Sequence, residues 1–343
     1  MLFIRLILSL IASLFGILLL IPLLIILLPF WFVSVFLKII SKFKPKISDW
    51  EETIEFDQRL GWRPRPNMRV HMESDGVYRI TTGPDGWRGN YSLKDSSVVV
   101  IGDSFVFGHA VDDADHFASL TKTRVKPIGA PSYGAVHYLL LLKTLTSELK
   151  GKLVIWLVYG NDYGESVHSA SYGYRFPFVF FNHQTDAWEI KTDHISSRKL
   201  PFHFDRGYKT SMPELADLFS KNYFSDYAFG AFEYLVKEAK KHCDAHGAEF
   251  AIVTSPIRWL IDGSFVNKIK RHTAHPENFS LKYPDEQVEL ICKRNGITFR
   301  PSLGEFVRED FLPNDLHWSR SGNKKIARII DGVYADFLKN KTK

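Results

Sequence analysis

A hydroxyl, an imidazole, a carboxylate and a side-chain amide stand at separate places in this sequence, each beside an apolar run. Gly102-Asp103-Ser104-Phe105 follows Val98-Val99-Val100-Ile101, and Gly129-Ala130-Pro131-Ser132-Tyr133-Gly134 follows a short run over Val125–Ile128. Gly160-Asn161-Asp162 comes after Leu153–Val158, and Asn314-Asp315-Leu316-His317-Trp318-Ser319 precedes the last amphipathic stretch. A serine hydroxyl is a poor nucleophile at neutral pH, so acyl transfer needs a base within reach, a group orienting that base, and donors for the oxyanion. Ser104, His317, Asp315 and Asn161 supply one of each. By itself Gly-Asp-Ser is equally a polar strand-to-helix turn, and only the set points to nucleophilic catalysis.

Those residues need elements to hold them. Val98–Ile101 reads as a strand buried on both faces, which places Ser104 at its carboxyl end, where open parallel α/β sheets bind ligands. Val125–Ile128, Leu153–Val158, Phe250–Val253 and Ile297–Phe299 read as further strands, with helices expected over Ala135–Leu149, about Pro213–His242, Asp285–Lys293 and about Ser321–Leu338. Alternation of strands and helices predicts an α/β fold with one mostly parallel five-stranded sheet covered on both faces. Two regions depart from it. Residues 47–95 read as an approach segment with an extended Trp62-Arg63-Pro64-Arg65-Pro66, an edge-like strand over Val77–Thr82 and a turn at Gly83-Pro84-Asp85-Gly86. Residues 167–210 read as an insertion carrying an aromatic hairpin, Phe176–Phe181 against Ala187–Ile190. The catalytic domain is thus expected over 96–343.

From Leu6 to Leu37 no residue is charged, which exceeds the ~20 apolar residues a membrane-spanning helix needs. Residues 1–46 are therefore expected to form a retained membrane anchor. Pro22 and Pro29 divide it either into a span over about Leu6–Leu28 with an interfacial helix over Phe30–Phe43, or into a tight hairpin. Lysine counting places the carboxyl-terminal flank in the cytoplasm, a vote weakened if those lysines lie against anionic lipid. The formal net charge is +6, and Arg5, Lys38, Lys42, Lys44 and Lys46 against Asp49 account for four of those charges. The remainder is nearly balanced, which removes the electrostatic case for nucleic-acid binding. Cys243 and Cys292 have no metal-site spacing and read as small buried hydrophobes.

Among other polar residues, His109, His116, His137 and His168 read as structural or solvated, Asp103 and Asp162 as groups fixing turns, and Arg88 as solvated or structural, the alternative being contact with a substrate carboxylate or phosphate. No cofactor or metal is expected, and no phosphate loop, dinucleotide fingerprint or glycosidase-like carboxylate pair occurs.

Gly102-Asp103-Ser104 with Phe105 and Gly108, Asn161 within Gly-Asn-Asp, and Asp315 with His317 before a terminal helix together resemble the ordered blocks of the SGNH (GDSL-type) hydrolase superfamily, over about residues 95–340. The resemblance implies a flavodoxin-like three-layer fold, with Ser104 as nucleophile, His317 as general base and Asp315 as its partner. It also implies an oxyanion hole built from the backbone N–H of Ser104, a backbone N–H of the second block, and the Asn161 side chain. Many members carry glycine where this chain has Ser132, with Gly134 two further on, so the second-block donor is either one. Asn314, not Asp315, stands three before His317, the commoner family spacing. A carboxylate suits an imidazolium better than an amide does, which selects Asp315.

The expected function is a membrane-anchored serine esterase acting on acyl esters of a lipid or glycan. The alternatives are an O-acyltransferase of cell-envelope polysaccharide, working beside a membrane-bound O-acyltransferase partner, and an inactive envelope scaffold or binding module. The resemblance favours an extracytoplasmic domain on a bacterial inner membrane.

Overall fold

The structure is a computed structural model that describes residues 7, 9, 27–36, 47–89, 91–171, 173–200 and 212–341. The chain divides into two compact units, Met1–Lys46 and Ile47–Lys343.

In the first unit, the expected span over Leu6–Leu28 and the interfacial helix over Phe30–Phe43 lie largely outside the described residues. Among the described residues no helix is long and apolar enough to cross a membrane. Residues 27–36 are helical, and Leu28, Phe30, Trp31, Phe32, Val33 and Phe36 are exposed along them. Pro29 was expected to break the chain, yet it sits inside this helical stretch. Its ring fixes φ near the helical value, so helix can continue from it.

The second unit begins with two antiparallel pairs, β1 (Ile54–Asp57) with β2 (Gly61–Pro64) and β3 (Arg69–Glu73) with β4 (Val77–Thr81). The expected edge-like strand is therefore one arm of a hairpin outside the main sheet. The approach segment is also built into the core, because Ile54, Leu60 and Trp62 are buried there.

The main sheet follows: β5 (Val98–Gly102), β6 (Val125–Gly129) and β7 (Leu153–Val158). Between β7 and the next sheet strand lie two small antiparallel pairs, β8 (Ala170–Ser171) with β9 (Tyr174–Arg175) and β10 (Phe178–Asn182) with β11 (Ala187–Lys191). The second pair is the expected aromatic hairpin, while residues 201–210 of that insertion lie outside the described residues. β12 (Glu249–Thr254) and β13 (Thr298–Arg300) complete the sheet in the order β13-β12-β7-β5-β6, with every pairing parallel. All residues of β5 and β7 are buried, as required of strands covered on both faces, and their unbroken β-branched and aromatic runs answer that requirement.

Helix Tyr223–Ala245 packs on β12 and on helix Ala135–Leu142. Apolar positions at helical spacing bury Phe229, Phe232, Val236 and Cys243 along it. The expected single helix over Pro213–His242 is two, because Asn222 caps a new start by accepting from Ser225 N–H. The last helix, Arg320–Lys341, buries Ile326, Ile330, Val333 and Phe337.

Numbered by their order along the chain, the five sheet strands run 2-1-3-4-5. Connections leave β5 toward one edge and return to β7 on its other side, so the crevice between the carboxyl ends of β5 and β7 is the topological switch point. Ser104 follows β5 and Asn161 follows β7.

Candidate active site

Gly102 ends β5 where a side chain would have no room against Val106 and the Leu157 carbonyl. Asp103 then caps the short helix Ser104–Phe107, its Oδ1 accepting the Phe105 N–H at 2.9 Å. Gly108 closes that helix in the left-handed region (φ 74°), with no room for a Cβ beside the His116 ring. Arg88, buried, pins the loop beyond: it donates to the carbonyls of Phe107 (3.1 Å), Gly108 (2.6 Å) and Val111 (3.1 Å) and to Asp113 Oδ1 (2.6 Å). This agrees with the structural reading of Arg88.

His317 enters from the loop before the final helix. Its Nε2 lies 2.7 Å from Ser104 Oγ and its Nδ1 2.5 Å from Asp315 Oδ1, which also accepts the His317 backbone N–H at 2.9 Å. With the ring proton on Nδ1 and donated to Asp315, Nε2 is free to accept the serine proton. The structure thus joins Ser104, His317 and Asp315, 213 residues apart along the chain at the widest. Burial pushes the Asp315 carboxyl up, but the hydrogen bonds and charge of His317 outweigh it and hold it below the usual carboxylate range. Burial raises Asp103 to about 6, against the hydrogen bond from Phe105.

A cavity of about 410 Å³ opens at this point, and Ser104, His317, Ser132 and Asn161 all line it. Asn161 donates from Nδ2 to Glu165 Oε1 at 2.6 Å, which leaves its second amide proton for a ligand. Ser132 adopts a left-handed conformation (φ 61°), sparsely used by residues with a side chain. Gly134 does not line the cavity; its N–H donates to His137 Nδ1 at 3.1 Å as it begins helix Ala135–Leu142. Of the two second-block candidates, Ser132 lines the cavity, while the N–H of Gly134 is engaged in helix initiation.

Asp162 lies beneath, accepting from Tyr159 N–H at 2.7 Å and from the Tyr138 hydroxyl at 2.8 Å. Burial, together with the charge of Asp103, raises it well above its ordinary value. It fixes the loop after β7, as read from the sequence.

Three features were not expected. His109 was read as structural or solvated, yet it lines the cavity, with its Nε2 3.8 Å from Asp315 Oδ2 and its ring 4.6 Å from that of His317. Burial and the neighbouring His317 lower it to about 4, which keeps it neutral. His109, Asp315 and His317 bring three ligand atoms within 4.8 Å of one another and could hold a metal ion, in competition with the His317–Asp315 hydrogen bond. Second, Trp50 and Trp62 of the approach segment and Tyr174 of the insertion form cavity wall; their aromatic character was visible, but their destination was not. Third, the tip of the β3–β4 hairpin reaches the acid: Ser74 Oγ donates to Asp315 Oδ2 at 3.1 Å.

Serine, imidazole and carboxylate thus stand in hydrogen-bond sequence at the switch point of a parallel α/β sheet. No family model matches the chain, and no curated protein matches it. Among solved structures it is similar to a GDSL-like lipase from Bacteroides thetaiotaomicron (13% identity, 72% of this chain and 91% of that one, TM-score 0.41). It is also similar to the psychrotrophic esterase EstA from a Pseudoalteromonas species (10% identity, 73% and 100%, TM-score 0.39) and to TesA (12% identity, 67% and 93%, TM-score 0.37). Likeness at this level carries none of the chemistry, which follows from the geometry of the site.

Proposed function

We propose that this chain is a serine ester hydrolase of SGNH type that works through an acyl-enzyme. The observation that carries this reading is the placement of His317, with Nε2 2.7 Å from Ser104 Oγ and Nδ1 2.5 Å from Asp315 Oδ1. Ser104 Oγ attacks the ester carbonyl while its proton passes to His317 Nε2. The imidazolium so formed is stabilised by the Asp315 carboxylate. The N–H groups of Ser104 and Ser132 and the Asn161 amide receive the oxyanion. Collapse of the tetrahedral intermediate returns the proton to the leaving alcohol, and water, activated by the same imidazole, then releases the acid.

Transfer of the acyl group to a sugar hydroxyl shares every step up to the acyl-enzyme. Release of free acid from p-nitrophenyl esters, compared with product formed on an added glycan, separates the two. The uncharged run from Leu6 to Leu37 supports attachment to a membrane, and with it a substrate found at that surface. Alkaline phosphatase fused after Lys343 is active only if the domain lies outside the cytoplasm.

The deciding experiment is labelling of purified protein with a fluorophosphonate probe. Wild type is expected to label, and Ser104→Ala and His317→Ala are not. Absence of Ser104-dependent labelling in folded protein would sink the enzyme reading and favour a scaffold.

A further inference from the structure

The β3–β4 hairpin belongs to neither the main sheet nor the loops that carry Ser104, Asn161 and His317, yet it touches the site at two levels. At its base, Met68, Met72, Tyr78 and Ile80 share a small apolar cluster with Phe107, the last residue of the nucleophile's helix. At its tip, Asp75 grips the loop that bears the acid. Asp75 Oδ2 accepts the backbone N–H of Asn314 at 2.8 Å and of Asp315 at 3.2 Å, and Oδ1 accepts the Asn314 side-chain amide at 2.7 Å. Next to it, Ser74 Oγ donates to Asp315 Oδ2 at 3.1 Å. From elsewhere in the fold Arg258 donates to the carbonyls of Asp315 (2.6 Å) and Pro313 (2.8 Å).

Consider what this does to Asp315. Its N–H, its carbonyl and the carboxylate oxygen not used by His317 are each engaged, so the oxygen that faces His317 Nδ1 has little freedom left. An exposed loop would otherwise allow the side chain to swing toward water and leave the imidazole unoriented. Both carboxylate oxygens of Asp75 are used on this loop, accepting three N–H groups between them. We propose that Asp75, assisted by Ser74, is a positioning residue that holds Asp315 in register with His317 and ties the acid loop to the nucleophile's helix through one hairpin. This rests on the reading of Ser104, His317 and Asp315 as the reacting group.

The test uses the full chain and two readouts. The first is steady-state hydrolysis of p-nitrophenyl acetate by wild type, Asp75→Ala, Asp75→Asn and Ser74→Ala, each also made in an Asp315→Ala background. Loss of alignment by about an ångström is expected to lower kcat of Asp75→Ala by about 10- to 100-fold with KM within about twofold. Asp75→Asn keeps one accepting oxygen and falls between it and wild type. Ser74→Ala removes one hydroxyl from an exposed turn and loses a few-fold. In the Asp315→Ala background neither change costs anything further, because residues acting through one group are not additive. The second readout is the far-downfield proton resonance of the His317 Nδ1–H bonded to Asp315, expected in wild type and lost in Asp75→Ala. Thermal melting establishes that each variant is folded. Should Asp75→Ala misfold, Ser74→Ala with an unchanged kcat and resonance overturns the proposal. A folded Asp75→Ala that keeps the resonance and wild-type kcat overturns it too, as does an equal loss without Asp315. A wild type that shows the resonance but no Ser104-dependent turnover rejects the esterase reading instead, while loss of the resonance in Asp75→Ala still establishes the clamp.

Discussion

Asn161 Nδ2 donates to Glu165 Oε1 at 2.6 Å, across one turn of the short helix after β7. The amide proposed to meet the oxyanion is thereby held by a side chain that lines the same cavity. Asn161→Ala is expected to lower kcat by about 10²-fold with little change in KM, the usual size of one lost oxyanion donor. Glu165→Gln retains an accepting oxygen and loses much less, and Glu165→Ala, which frees the amide to rotate, falls between. Steady-state kinetics on p-nitrophenyl acetate check the ranking, and an Asn161→Ala enzyme with full kcat removes that side chain from the oxyanion hole.

Arg88 serves the site through stability. Its guanidinium is 2% exposed and satisfies the carbonyls of Phe107, Gly108 and Val111 as well as Asp113. Arg88→Met leaves those carbonyls without their donor and Asp113 without its cation, at an expected cost of about 3–5 kcal/mol. Urea unfolding measures this directly. A loss below about 1 kcal/mol would mean that water replaces the guanidinium at no penalty.

Much of this was legible in the sequence, for local reasons. The sheet strands are short β-branched runs, and Ser104 and Asn161 follow theirs within three residues, so both stood out at strand ends, whereas Asp315 and His317 stood out as a carboxylate and an imidazole two apart before the last helix; the roles of all four came from the resemblance of the ordered set. What escaped was long-range. Ser74 and Asp75 lie about 240 residues from their partners, and although Ser-Asp-Gly is a fair hairpin signal, no periodicity says where a hairpin tip will dock. His109 read as structural or solvated because the carboxylate it faces, Asp315, comes from the far end of the chain. The choice between Ser132 and Gly134 needed the helix start to be seen, because only then is the Gly134 N–H known to be engaged.

The cavity wall is expected to discriminate by charge. Among the described residues, its lining includes Asp103 and Glu165 and the rings of Trp50, Trp62 and Tyr174, and no lysine or arginine. An anionic acyl group entering there would lose water without gaining a cation. The p-nitrophenyl ester of butyrate should therefore exceed the hemisuccinate in kcat/KM by about tenfold or more, a difference of roughly 1.4 kcal/mol in transition-state binding. A ratio near one would show that the acyl group does not occupy this cavity.

Acid should weaken the protein from within. Burial lowers His109 to about 4 and His116 and His137 to about 3, from an ordinary 6.5. For a group whose folded value is depressed, the stabilisation is complete above the unfolded pKa and is lost as pH falls toward the folded one. Asp103 acts oppositely, since burial raises it from 3.8 to about 6; its contribution is present at low pH and lost as pH rises through 6. Between about pH 6 and pH 4 the unfolded chain holds up to three protons on these histidines, while the native state holds one on Asp103 and one on Asp162, whose carboxyl burial raises well above its ordinary value. The difference of about one proton corresponds to a loss of roughly 1.4 kcal/mol of stability per pH unit. Against the 5–15 kcal/mol typical of a domain, about 3 kcal/mol is expected to be lost between pH 6 and pH 4. Unfolding free energies from urea titrations at pH 7, 6 and 5 test the slope, and replacing one histidine by a neutral residue, as in His137→Gln, should reduce it by about one proton. A stability that stays level over that range would mean that these rings take up protons in the folded state as readily as in the unfolded chain.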